Sequence, residues 1–576
     1  MKRILVRRTL AGTMGALCLS LLFAGCASLR GDERKPITDA HQQFEAEANQ
    51  FFKKNKIDEI SACLVDTKGQ DTFWSAGNTK KEGIAAKAEP VGPDTVLAVG
   101  SVSKVLMPIA IMKLVERGAM DLDAPVSRYI PEFTLRSPSS SADTVTIRSL
   151  LCHASGLESD IIAGFFQKET DYRSIVGLLN KSKLTNEPWT QYSYSNPGYS
   201  LLAVAVERAS GTDYPRFIKD EILIPWGMRD SGFAFVDERL DVTPIRDLPA
   251  GLFCSTARDM SLLIRGLLAD REGKGVVLKA ESVAEIWKEQ NGLLKNDDGF
   301  KTGLTFMLHP VPSLGIAESC SHGGDIPPYA AQLYFDPFHG LGVFIVSKAK
   351  KVDSTGLIPL AEAGLRSELL ARGETITPMI PPASPRVAVD AALKDRLTGY
   401  YNSVVIGMFK ITSRDDGLFT SIDGQTLRIY PHADGTLEFE ELFLGFLPHK
   451  TGRYDTHLLR MDTYEGKPVL SLIIDDFVNP TGPAIKLERQ TLTPAWKKRL
   501  GSWHMNMGAN SPPAAGILTY DKNSGTLVFP GWMVLKIIND GELRTYGIGR
   551  GQGEYLEAGE DEKGDWMRFS GIEFRR

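Results

Sequence analysis

The sequence predicts an α+β domain followed by two smaller antiparallel β units. Three observations carry this. β-patterned segments lie at both ends of residues 37–372, while the middle, Met107 to Leu268, is mostly helical with Gly and Pro punctuation. One sheet built from both ends with a helical insertion between them is an α+β plan. Next, Pro378, Pro381, Pro382 and Pro385 mark residues 373–390 as a stiff, extended linker. Beyond it, short alternating strands are broken by Asp416-Gly417, Asp423-Gly424, Asp434-Gly435 and Asp540-Gly541. Arg396-Leu397-Thr398-Gly399-Tyr400 is echoed by Arg499-Leu500-Gly501-Ser502-Trp503, which splits this region into residues 391–490 and 491–576.

The length of 576 residues itself calls for several domains. A net charge of −5 offers no basic footprint for nucleic acid. The first 25 residues read as an export signal: Lys2, Arg3, Arg7 and Arg8 precede an apolar run from Leu10 to Phe23 that is short for a membrane span. Arg7-Arg8 also fits twin-arginine export. Residues 26–36 are a polar tether, and Asp39 to Asn55 reads as an amphipathic helix. Ile60 to Asp66 and Asp71 to Ser75, around Lys68-Gly69, read as a hairpin. Strands are expected at Gly303 to Met307, Tyr329 to Phe335 and Leu341 to Val346, and a last helix from Thr355 to Leu370. Cys63, Cys152, Cys254 and Cys320 are too few for a disulfide scaffold in so long a chain, and Cys152 beside His153 reads as a small buried side chain. The aromatic residues Phe439, Phe443, Phe446, Trp503 and Trp532 read as β-unit core.

The chemistry-bearing stretch is Ser101-Val102-Ser103-Lys104, at the start of the apolar run Val105 to Met112. Residues three apart share a helix face, so Ser101 and Lys104 can meet. The free N–H groups of a helix start suit a serine whose attack creates negative charge. A lysine desolvated on an apolar face has a lowered pKa and can act as a base. Ser347-Lys348-Ala349-Lys350 repeats the spacing but follows a β-like run, and reads as a solvated strand end. Tyr194-Ser195-Asn196 supplies a phenol for proton transfer and an amide able to hold both lysine and substrate. His322-Gly323-Gly324 supplies a polar side chain and then glycines that let substrate backbone approach a sheet edge. Tyr400-Tyr401-Asn402 and Lys301-Thr302-Gly303 match the patterns but lie in the β region and in a separate strand. No Cys/His cluster has metal-ligand spacing and no phosphate loop appears, so no cofactor and no metal are expected.

With these motifs the chain resembles the serine β-lactamase and penicillin-binding-protein superfamily, in its class C β-lactamase-like branch, which also holds D-aminopeptidases, D,D-peptidases and esterases. Leu150 to Leu157, Tyr194 to Tyr199 and Gly251 to Met260 add to the resemblance, which covers Ile37 to Arg372. It implies a β-lactamase-like antiparallel sheet flanked by helices, and the C-terminal units resemble the lipocalin-like barrels of D-aminopeptidase relatives. It further implies acyl transfer through Ser101, with Lys104 and Tyr194 sharing proton transfer and the choice of base left open. Asn196 is expected on Lys104 and the substrate amide, His322 at the substrate's far end, and the backbone N–H groups of Ser101 and Asp325 in an oxyanion hole. His322 stands where a lysine would grip a carboxylate, so it is expected to charge and discharge near neutral pH; Asp325 has no evident purpose. Phe23-Ala24-Gly25-Cys26 resembles a bacterial lipoprotein signal, with Cys26 lipidated and the chain anchored to a membrane facing the periplasm or exterior, the outer one by Ala27; an ordinary signal peptide is the alternative. The substrate is expected to be a small molecule or peptide. Three readings follow: a hydrolase of peptides, D-amino-acid derivatives or esters; a β-lactamase or D,D-carboxypeptidase; or a catalytically silent lipoprotein that binds cell-wall peptide. The β units are expected to modulate access without performing chemistry, and the oligomeric state is left open.

Overall fold

A computed structural model describes residues 35–576 except 80–87, 137–141, 167–170, 234–239, 241, 296–298, 380–383, 415–416, 423, 444–446, 450–456, 465, 475–476, 479–482 and 506–514. The expected signal, Cys26 and Phe446 lie outside the described residues. Helix α1 (Lys35–Lys54) leads into β1 (Glu59–Asp66) and β2 (Thr72–Thr79). The helical middle contains α2 (Leu106–Glu116), α3 (Asn196–Ser210) and α4 (Ala257–Arg271). The sheet resumes with β3 (Met307–Val311), β4 (Ile316–Ile326), β5 (Tyr329–Asp336) and β6 (Leu341–Lys348), followed by α5 (Ile358–Ala371). The antiparallel order is Glu89–Pro90, β2, β1, β6, β5, β4, β3, Lys301–Thr302, so the chain's return places β6 against β1.

Side-chain alternation explains why this sheet sits in the middle of the domain. On β1, Ile60, Ala62 and Leu64 pack with Phe44 and Ala48 of α1 and Leu365 and Leu369 of α5. Cys63 and Val65 point the other way, into the cluster shared with α2, α3 and α4. Both faces are covered, so every residue of β1 is buried.

Several local expectations change. Gly303 to Met307 is no strand: the Gly303 N–H bonds the Phe306 carbonyl, Thr305 takes φ +78°, and only Lys301–Thr302 and Met307–Val311 pair. The alternation of Leu304 and Phe306 imitates a strand because both point into the core. Ser347 is not a solvated strand end but a fully buried member of β6, paired with Ile60 and Ala330. All four described cysteines are buried, and none is in a disulfide. Phe443 and Trp532, expected in barrel cores, are 56% and 72% exposed, whereas Phe439 and Trp503 are buried.

The C-terminal region is two β-barrels, each entered through a short helix, Ala391–Leu397 and Pro494–Lys498, capped by Asp390 and Thr493. The first runs from Gly399–Ser403 to Ala484–Lys486 and closes where Gln425–Pro431 pairs with Thr436–Phe443. The second is a closed barrel from Gly501–Met505 to Ile572–Arg575. Val469, Ile485 and Leu487 of the first pack on Val534, Tyr546 and Ile548 of the second. Both barrels reach the first domain. Tyr464 Oη donates to Gln191 Oε1 at 2.7 Å, and Ile162 N–H donates to Ser570 Oγ at 2.9 Å.

Candidate active site

Ser101 and Lys104 lie on one turn of 3-10 helix, Gly100–Val105, that runs into α2. With three residues per turn, i and i+3 eclipse, so Lys104 stands directly over Ser101. Its Nζ is 3.2 Å from Ser101 Oγ and donates to the Ala250 carbonyl at 2.6 Å. The turn is held from behind: Phe253 N–H donates to Ser103 Oγ at 2.9 Å, and Val99 N–H to the Phe253 carbonyl at 3.1 Å. This is the contribution of the Gly251 to Met260 segment.

Lys104 is fully buried. Desolvation drives its pKa well below the ordinary lysine value, the Arg550 cation adds to this, and Asp160 and Asp247 oppose it. The ammonium position lies over two rings, 4.9 Å from the Tyr194 centroid and 5.4 Å from that of Tyr199. Burial pushes the Tyr194 phenol up to about 12, against the Arg550 guanidinium and the Ser101 hydroxyl, which favour the phenolate.

The segment Leu150 to Leu157 clamps Tyr194. His153, at φ +55°, stacks on the Tyr194 ring with centroids 4.1 Å apart. Its Nδ1 accepts the Ser195 N–H at 3.0 Å, so the ring proton rests on Nε2. Burial and the Lys104 charge drive the His153 pKa well down, which keeps this imidazole neutral. Ser195 caps α3 by accepting the Gly198 N–H.

Asn196 differs from expectation. Its amide donates to Asp160 Oδ1 at 2.7 Å rather than to Lys104, whose Nζ is taken by Ala250 and Ser101. His322 differs too. It lies within β4, fully enclosed, and burial followed by the Lys104 charge lowers its pKa to about 3. Its Nδ1 is 2.6 Å from the Gly323 carbonyl, which can only accept, so Nδ1 carries the proton of a neutral ring. No cation stands there at neutral pH.

Gly324 has a steric reason. A Cβ on Gly324 would run into the Val99 carbonyl and crowd Ser101 N, and one on Gly100 would meet Asp325 backbone. The bare backbone of β4 thus passes directly beside the Ser101 turn, bringing the peptides of Ser101 and Asp325 together. The Asp325 side chain turns elsewhere: its carboxylate accepts the Ser354 N–H at 2.8 Å and the Ser354 hydroxyl at 2.6 Å, tying β4 to the approach of α5. The look-alike motifs stand apart, Lys301 paired with Glu289 on an exposed edge and Tyr401 in the first barrel core.

The sequence reading missed Asp160, His153, the buried pair Arg246–Asp247 and, above all, Arg550. Arg550 belongs to the second barrel, yet its guanidinium lies 4.9 Å from the Tyr194 ring centroid and 3.2 Å from Asp160 Oδ2. Its signal is the glycine run Gly547, Gly549, Gly551 and Gly553 around an arginine. The assembled groups can ionise a hydroxyl, shuttle its proton and receive an oxyanion on backbone N–H groups.

The Beta-lactamase family profile matches residues 45–363. The chain belongs to this family, the serine β-lactamase and penicillin-binding-protein superfamily, whose members include serine hydrolases. It is 26% identical over 381 residues to penicillin-binding protein 4* of Bacillus subtilis (strain 168), covering 60% of this chain and 80% of that one. It is 31% identical over 183 residues to esterase EstB of Burkholderia gladioli, 29% of this chain and 46% of that one. Beta-lactamase-like protein 2 of Dictyostelium discoideum is 26% identical over 244 residues, 38% of this chain and 44% of that one, so the matched stretch is less than half of these last two relatives. Among solved structures, SurE superposes with a TM-score of 0.55 at 20% identity, over 78% of this chain and all of that one. The octameric penicillin-binding-protein homologue of Pyrococcus abyssi gives 0.50 at 18%, over 77% and 100%. At these identities the structures speak to fold alone.

Proposed function

We propose that this chain is an exported serine hydrolase that cleaves amide or ester bonds of small peptides, D-amino-acid derivatives or esters through an acyl-Ser101 intermediate. The carrying observation is Lys104, fully buried, with its Nζ 3.2 Å from the hydroxyl of the partly exposed Ser101. Ser101 Oγ attacks the carbonyl carbon as its proton passes to neutral Lys104. The oxyanion takes the N–H groups of Ser101 and Asp325, donors commonly worth about 3–4 kcal/mol of barrier. Of the two candidate bases, Lys104 is the better supported, since burial favours its neutral form. Burial also keeps Tyr194 protonated, as an acid for the leaving group. The two titrate as a coupled pair. Water then attacks the acyl ester by the reverse proton route. Asn196, with Gly323 and Gly324 of the β4 edge, borders the substrate.

A second reading, a D,D-carboxypeptidase or β-lactamase, is favoured by the long match to penicillin-binding protein 4*. We also propose lipidation of Cys26 and anchoring at the periplasmic or outer face of a membrane; intact-mass analysis finding cleavage elsewhere and no lipid would end that part. The hydrolase reading is tested with a neutral fluorophosphonate. Label is expected on the native chain and on Ser347→Ala, and none on Ser101→Ala. Label retained by Ser101→Ala defeats it. Turnover of a chromogenic cephalosporin separates the second reading from the first.

A further inference from the structure

We infer that the second barrel is part of the active site, with Arg550 as a positioning residue that holds the Tyr194 ring face and, through Asp160, the Asn196 amide. The inference rests on the hydrolase reading and adds a residue from outside the family-matched region, residues 45–363. Asp160 is the joint: Oδ1 accepts the Asn196 amide at 2.7 Å and Oδ2 takes the Arg550 guanidinium at 3.2 Å. On its other side the same guanidinium lies over Tyr194. Both polar residues of the Tyr-x-Asn motif are therefore tied to one cation that arrives from 390 positions further along the chain than Asp160.

The loop is built to deliver that cation. Gly549 and Gly551 take φ +90° and +69°, conformations that side chains disfavour. Gly551 N–H donates to Ser159 Oγ at 2.6 Å, and the Glu554 carboxylate accepts the Ser159 N–H at 3.0 Å. The Ser193 hydroxyl donates to the Gly549 carbonyl at 3.4 Å. The barrel thus grips the neighbours in sequence of both Asp160 and Tyr194. Ser570 closes the seam by donating to the Asp160 carbonyl at 2.7 Å.

The position has an electrostatic consequence. Lys104 is faced by Arg550, by the anions of Asp160 and Asp247, and by the neutral imidazoles of His153 and His322. Tyr194 is faced in addition by Asp325. Arg550 is the permanent cation in this set, so it disfavours protonated Lys104 and favours ionised Tyr194. Removing it raises both pKa values, and the acid limb of the acylation rate must move to higher pH.

The test measures the second-order rate of Ser101 labelling by a neutral fluorophosphonate from about pH 6 to 10 on the full chain, Arg550→Gln and Arg550→Lys. Arg550→Gln keeps an N–H for Asp160 without the cation. Its acid limb is expected about one unit higher, roughly tenfold slower labelling below the limb, after allowance for solvent screening of a part-exposed charge. Arg550→Lys should recover most of that rate. An unmoved limb in Arg550→Gln, or an equal loss at every pH in both variants, overturns the inference. So does an effect confined to substrates bearing a carboxylate, which would make Arg550 a substrate anchor. A native chain that takes no label defeats the hydrolase reading and this inference together. A native chain that labels normally beside an unmoved limb defeats the inference alone.

Discussion

At Ser101 the type of turn matters as much as the residues in it. An α-helical turn offsets positions i and i+3, whereas the 3-10 turn Gly100–Val105 eclipses them and sets Lys104 above the hydroxyl. His322 illustrates the same dependence on setting. A histidine titrates near about 6.5 in water, but this one, enclosed in β4 beside Lys104, is neutral down to about pH 3. We therefore predict that kcat/KM for a carboxylate-bearing substrate, divided by that for its methyl ester, stays flat between about pH 5.5 and 8.5. A ratio that falls through neutrality would mean that His322 is charged in the folded protein. His153, His309 (about 4) and His322 all have depressed pKa values from burial. Their contribution to stability is complete above the unfolded value of about 6.5 and is lost as pH falls toward the folded values. Each then removes about 1.4 kcal/mol per pH unit. Thermal melts should drop steeply below about pH 6, and less steeply in His309→Gln.

Among the elements, the seam between the first domain and the second barrel carries an unusual load. Glu158 and Glu554 are both buried there, and burial pushes their carboxyls up to about 7 and about 8, each raised further by a neighbouring carboxylate, Glu557 for Glu158 and Glu158 for Glu554. Nearby, Lys183 pairs with Glu542 and Glu557, each at 2.9 Å. An acid with a raised folded pKa costs stability as pH climbs above its unfolded value, until it ionises in the fold as well. Docking of residues 545–553 should therefore weaken progressively between about pH 4.5 and 8. We expect Glu554→Gln to slow amide exchange in Gly549–Gly553 at pH 8, after correction for intrinsic rates, and to change it little at pH 5. Faster exchange at pH 8 in that variant would show that the ionised carboxylate, through Ser159, holds the loop.

At the scale of the whole molecule, both barrels bear on the segment around Tyr194. The first touches Gln191 through Tyr464, and the second brings Arg550 to Tyr194. A chain ending at residue 490 should keep the circular-dichroism signature of the first domain, whose two hydrophobic clusters contain no barrel residue. It should take a neutral acylating label at least about tenfold more slowly at neutral pH, because it lacks the Arg550 charge. Undiminished labelling would return the barrel to the role the sequence suggests, control of access alone.

Much of this architecture was legible in the residues themselves. Ile60 to Asp66 and Leu341 to Val346 read as strands because two-sided burial leaves continuous apolar runs. Ser101 and Lys104 read as partners because three residues span one turn. Leu304 and Phe306 misled because alternation marks core-facing side chains, whether or not the backbone pairs. What the sequence alone determined is local: the spacing of the motifs, the composition break at the prolines, and the two β units behind it. Only the tertiary structure decided that His322 is neutral, that Asn196 belongs to Asp160, that the Asp325 carboxylate serves Ser354, and that Arg550 reaches Tyr194. Protonation depends on how completely a group is stripped of water and on which charges end up beside it. Those neighbours are assembled by folding from segments hundreds of residues apart.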